Sequence, residues 1–162
     1  IVAEISPQTV SIAADEEVVA IYIILVLMKT ANCDKKNIIL LSKLINQNML
    51  FALQYENTVN FAAYRADRVI MSDSRSMDDW ELKLKGLNLR STWDALIADI
   101  SGLEPADGKS LDEMIIQNEN IKRLEKKIAI LEKKAMIERQ PRRKWDLAQE
   151  IKQLKEQLKG AQ

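Results

Sequence analysis

A chain of 162 residues, 47% hydrophobic and 30% charged, has the material for one domain plus an extension, with a real core. Its 24 lysines and arginines balance 24 acids, it has no histidine, and Cys33 is the single cysteine. Those counts exclude an intrachain disulfide, a cysteine zinc site, and both Ser-His-Asp and Cys-His catalysis.

The first residue is Ile1 rather than Met, which leaves room for a preceding segment. No signal-peptide pattern is present. The longest apolar run, Val18 to Met28, has eleven residues, too few to cross a bilayer as a helix. A cytoplasmic protein with no membrane contact is expected.

Glu4 to Pro7 reads as a lead-in or turn, and Thr9 to Ala13 alternates like a short strand. Asp15-Glu16-Glu17 is a polar break. Val18 to Lys29 is rich in β-branched residues and has no polar face. It predicts a strand buried on both sides, with a buried helix as the alternative. Asn32 to Asp34 can cap a helix in which Ile38, Leu41, Leu44 and Ile45 recur at helical spacing. Ile39 and Leu40 widen that stripe, while Lys35, Lys36 and Lys43 stay outside. Asn46-Gln47-Asn48 ends it. Met49 to Glu56 and Thr58 to Ala66 predict a strand hairpin turning at Glu56-Asn57. Phe51, Leu53 and Tyr55 share one face of its first strand, and Val59, Phe61 and Ala63 one face of its second.

Arg68 to Ser72 predicts a further short strand, and Ser72 to Asp79 a loop. Trp80, Leu82 and Leu84 alternate with Glu81, Lys83 and Lys85, the pattern of an amphipathic edge strand that Gly86 ends. Trp93, Leu96, Ile97 and Ile100 mark a helix that closes over the sheet. The predicted class is α+β: a mixed, mostly antiparallel sheet with helices on one face over 1–102. A linker over 103–109 contains Pro105 and Gly108, and a C-terminal antiparallel helical hairpin of coiled-coil type follows over 110–160.

Ser110-Leu111-Asp112-Glu113 fits a capping box at the start of that hairpin. Met114, Ile121, Leu124, Ile128, Leu131 and Ala135 recur on the first helix, with steps of three and four from Ile121 onward. Leu147, Ile151, Leu154 and Leu158 continue the seam on the second. Ala135 to Ile151 is sixteen residues, two more than two heptads, so one unbroken seam would have to slip. Pro141 sits in that gap. Inside a helix it would cost about 3 kcal/mol, but as the first residue of a new helix it costs little. A turn near Glu138 to Lys144 follows. A kinked single helix pairing with a second chain is the rival arrangement.

The zero net charge hides a split. Residues 121–162 hold 13 Lys and Arg against 6 acids, and residues 1–120 hold 11 against 18. Arg139, Arg142, Arg143 and Lys144 cluster at the turn beside Trp145. Lys122, Arg123, Lys126, Lys127, Lys133 and Lys134 extend the basic surface along the first helix. Of these, Lys126, Lys127, Lys133, Lys134, Arg139, Arg142, Arg143 and Lys144 are the candidate contacts to a DNA or RNA backbone, where affinity comes largely from counterion release. Lysine-rich flanks of a coiled coil are also plain solvated faces. The seam residues Ile121, Leu124, Ile128, Leu131, Leu147, Ile151, Leu154 and Leu158 are the alternative contact, to a protein partner or a second copy.

Several short motifs taken together resemble the bacterial family catalogued as domain of unknown function 4391. They are Ser6-Pro7-Gln8-Thr9-Val10, Lys29 ending the apolar strand, Ala62-Ala63-Tyr64-Arg65, Ser72-Asp73 leading to Trp80, and Glu138-Arg139-Gln140 near the bend. The resemblance covers nearly the whole chain. Members are encoded near helicases and methyltransferases of restriction or defence type, which implies a role around DNA without giving an activity. Members often carry an acid two residues before the lysine matching Lys29. Here that residue is Leu27, so no metal or nuclease role for that strand is implied.

Glu81-Leu82-Lys83, with Asp67, Asp73, Asp78 and Asp79 upstream, matches the acid and lysine set of a metal-dependent nuclease sheet. The triplet sits opposite Trp80, Leu82 and Leu84, where a solvated edge explains it fully. Gly86, Gly102, Gly108 and Gly160 are isolated, so no phosphate loop is present. No cofactor and no catalytic residue is assigned. The function expected is a non-enzymatic accessory protein of a DNA-associated or restriction/defence-type locus. A coiled-coil assembly subunit and a nuclease-like domain are the alternatives.

Overall fold

The computed structural model describes residues 1–103 and 109–161. The chain divides into two compact units, Ile1–Asp107 and Gly108–Gln162. The expected linker at 103–109 falls mostly outside the described residues.

The first unit is a six-stranded sheet. Its strands are β1 (Ala3–Ile5), β2 (Ile21–Leu27), β3 (Asn48–Tyr55), β4 (Thr58–Arg65), β5 (Arg68–Met71) and β6 (Arg75–Ser76). The order is β1-β2-β3-β4-β5, with β6 beside β4, and β2–β3 is the one parallel pair. Parallel neighbours need a crossover, and α1 (Lys35–Ile45) supplies it. Asp34 caps α1 by accepting from the Lys36 amide at 2.9 Å, and Asn46 ends it in the left-handed region at φ 50°. The turn after β4 places both Ala66 and Asp67 at positive φ, the geometry a two-residue hairpin requires, and the Tyr64 hydroxyl donates to Asp67.

The class is α+β, as the pattern predicts, with a mixed and mostly antiparallel sheet. The helices of this unit divide between the faces instead of sharing one. Ile38 of α1 packs on Met49, Phe51, Leu53, Ala62 and Val69. The second helix, α2 (Leu89–Ser101), is held to β4 by an Arg65–Asp94 ion pair. Arg65 lies on the side of β4 opposite Tyr64 and Ala62, so α2 covers the other face. The reason lies in the central strands. Leu50 and Ala63 are as fully buried as Phe51 and Ala62, so both faces need cover.

Four local expectations fail. Thr9 to Ala13 is not a strand; β1 instead falls on Ala3–Ile5, where a lead-in was expected. The Thr9 hydroxyl donates to the Glu4 carbonyl and accepts from the Ser6 amide, a local turn that replaces ladder bonds. Trp80 to Lys85 is not an edge strand either. β5 and β6 already occupy that side of β4, and the Trp80 indole N–H donates to the Val59 carbonyl while its ring meets Phe61 edge-on at 4.8 Å. Trp80 therefore covers the sheet face rather than extending its edge. β2 is a strand but is not buried on both sides: Ile21 is its one buried residue, and Leu25 and Leu27 are exposed. The α1 stripe predicted as core stays largely outside: Leu40, Leu41, Leu44 and Ile45 are exposed.

The Ser72-to-Asp79 loop also carries structure, β6 and a 3-10 turn over Met77–Asp79. Between β5 and β6 the ladder is bridged by Ser72. Its amide donates to the Phe61 carbonyl, and its hydroxyl accepts from the Phe61 amide at 2.8 Å.

The second unit is α3 (Leu111–Ile137) and α4 (Pro141–Ala161). The capping box is present as the sequence predicts, with Ser110 and Glu113 bonded reciprocally. Pro141 is the first residue of α4, where its missing amide costs nothing. The Gln117 side chain donates to the Ala161 carbonyl, so the start of α3 meets the end of α4 and the pair is antiparallel. No helix among the described residues is long and apolar enough to cross a membrane.

Candidate nucleic-acid interface

The interface is built outward from the hairpin seam. Ile128, Leu131 and Leu154 are its buried centre, with Leu124, Leu147, Ile151 and Leu158 packed against them. Ile121, the remaining seam residue, is half-buried and stands outside this cluster. Because the seam faces inward, the charged residues between its positions must face water. Two ion pairs cross between the helices, Lys127–Glu150 at 2.9 Å and Lys155–Glu132 at 2.7 Å. Lys127 is thus committed to the hairpin itself. Lys126, Lys133, Lys134, Arg139, Arg142, Arg143 and Lys144 are exposed and make no ion pair among the described residues.

The turn is short and ordered by its own side chains. Glu138 ends α3 with its backbone extended, and its carboxylate accepts from the Gln140 amide at 2.9 Å. Gln140 precedes a proline, which disfavours helical backbone there. Its carbonyl accepts the first α4 bond, from the Lys144 amide. Arg142, Arg143 and Lys144 therefore occupy the first turn of α4, which contains no acid. The helix dipole is positive at that end, so these cations are repelled by it by about 0.3–1 kcal/mol each. A polyanion seated there would relieve that repulsion.

A groove of about 680 Å³ opens on one side of the turn, between Lys134, Arg139 and Arg143 and the acids Glu138, Asp146 and Glu150. Its charge is mixed; the cations outside it are Arg142 and Lys144 on the first turn of α4 and Lys126 and Lys133 along α3. Trp145 is 63% exposed beside these cations. Met136 and Ile137 are also exposed at the end of α3, which periodicity alone does not reveal. They follow the last seam position, Ala135, at spacings that look like helix interior. Ile115 is buried where the seam reading chose Met114.

The acid and lysine set of the nuclease alternative sits elsewhere. Glu81 and Lys83 pair with each other at 3.3 Å in an irregular stretch, not on a strand. Burial pushes the Cys33 thiol up from its ordinary value, with the Asp34 charge adding to the effect, so it is held in the unreactive form.

The chain therefore joins, in sequence, an α+β sheet covered on both faces to an antiparallel helical hairpin with exposed cations at its turn. The sequence model of one family, described as Domain of unknown function (DUF4391), matches residues 1–158, and the chain belongs to that family. No curated protein and no solved structure matches it.

Proposed function

We propose that this protein is a non-enzymatic accessory protein of a bacterial DNA-associated or restriction/defence-type locus, contacting a nucleic-acid backbone through the hairpin turn. The observation that carries the reading is the set of unpaired cations there: Arg139, Arg142, Arg143 and Lys144, with Lys126, Lys133 and Lys134 along α3. None of them makes an ion pair among the described residues, and the α4 dipole adds to their field. Contacts of this kind fix position on phosphates and carry no base specificity. The locus part of the reading rests on the family resemblance. Assembly through the seam is less favoured, because the seam side chains already pack on one another within the chain.

The test is a salt titration of binding to a fluorescein-labelled duplex and to a single strand, read by anisotropy. Affinity should fall steeply with ionic strength. Arg142→Ala should flatten the log–log slope by about 0.9 for a duplex. No binding to either probe at low salt would remove the nucleic-acid reading.

A further inference from the structure

Helix α1 is eleven residues long, and Ile38 is its one fully buried aliphatic residue. Leu40 (58% exposed), Leu41, Leu44 (72% exposed) and Ile45 follow at spacings of one, three and four, which places them in one stripe. Contiguous aliphatic surface of that kind is uncommon on a free domain and marks a docking site. The charge on the helix and its cap is mainly basic, with three lysines against the N-cap acid Asp34. Every charged residue of α1 is a lysine: Lys35, Lys36 and Lys43. At 100° per residue Lys36 and Lys43 fall along one margin of the stripe. Lys43 stands over the Tyr64 ring, 5.7 Å from its centroid, which holds it at that margin.

We infer that α1 is a docking surface for an amphipathic helix of another protein, one whose apolar face is bordered by aspartate or glutamate. Charge complementarity selects this occupant. A second copy paired antiparallel through the same stripe would set lysine margin against lysine margin, with only the N-cap Asp34 of each helix to offset them. An acid-bordered helix instead gains attraction and orientation from the same lysines, although each exposed pair contributes little by itself. Helix α1 contributes none of the hairpin cations, so the protein would be an adaptor with two kinds of contact.

Two designed helical peptides of equal length and identical leucine face test this on the full chain, one bordered by glutamate and one by lysine. The glutamate peptide should bind at least tenfold more tightly. Leu40→Gln with Leu44→Gln should weaken it at least tenfold while the circular dichroism spectrum is unchanged, because both side chains are exposed. Lys36→Glu with Lys43→Glu should reverse the preference between the peptides. Equal binding of both peptides, no binding of the glutamate peptide, or binding unaffected by the α1 substitutions would overturn the proposal. Sedimentation showing a dimer that Leu44→Gln converts to monomer would replace it with self-association.

Discussion

Single side chains in this protein stand in for missing backbone partners. Where β5 gives way to β6, no strand residue faces the Phe61 amide, and the Ser72 hydroxyl takes the bond. Phe61 is buried, so its amide cannot turn to water instead. Ser72→Ala should therefore destabilise the protein by about 1–3 kcal/mol in urea unfolding, the cost of a buried donor left unpaired. Ser72→Thr, which keeps the hydroxyl, should recover most of the loss. Glu113 supplies a second case. The Ser110 backbone N–H, and then the Ser110 hydroxyl, hold its carboxyl below the ordinary glutamate value. A lowered folded pKa means that the cap is fully formed above the unfolded value, about 4.3. It is lost as pH falls through the folded value. Carbon-detected NMR titration should show the Glu113 carboxyl moving back toward the ordinary value in Ser110→Ala. An unchanged titration would show that the hydroxyl does not contribute.

At the level of elements, the turn of the hairpin sets stability against contact. Three cations occupy the first turn of α4, where the dipole favours acids. Replacing Arg142 and Arg143 with glutamate should raise the stability of the hairpin by about 1 kcal/mol or slightly more, measured by thermal unfolding at low salt. The same double variant should lose nucleic-acid binding. Higher stability with binding retained would assign the contact to another surface. The helices α3 and α4 were legible in the sequence for a physical reason. The capping box, Pro141 and the two runs of seam residues are local signals, each set by neighbours within one or two turns. The edge strand expected at Trp80–Lys85 was not legible. Alternation in Trp80, Leu82 and Leu84 gives the same pattern for a strand as for an irregular segment lying on a sheet face. What separates them is that β5 and β6 had already occupied the edge of β4.

The whole molecule has a formal charge of zero at pH 7 and a pI near 6.6, so it should pass through a cation exchanger if charge were evenly spread. It is not: the last 42 residues carry 13 basic and 6 acidic side chains. Retention on a phosphate-bearing matrix at pH 7 and low salt is therefore expected, with elution as ionic strength rises and the Debye length shrinks below about 10 Å. Arg139→Ala, Arg142→Ala and Arg143→Ala together should shift the elution to lower salt. Flow-through of the unaltered protein at low salt would mean that the acidic segments screen the basic ones.

By itself the sequence determined the α+β class, the positions of α1, α2, α3 and α4, the β3–β4–β5 meander and the uneven distribution of charge. These depend on short-range periodicity, capping and composition, which a chain carries with it before it folds. Tertiary structure decided the rest. It put α1 and α2 on opposite faces of the sheet, since two central strands apolar on both sides leave no face for water. It left Leu40 and Leu44 outside, although their spacing is that of a core. Burial is a property of what packs against a residue, and that partner lies far away in sequence or outside the chain altogether.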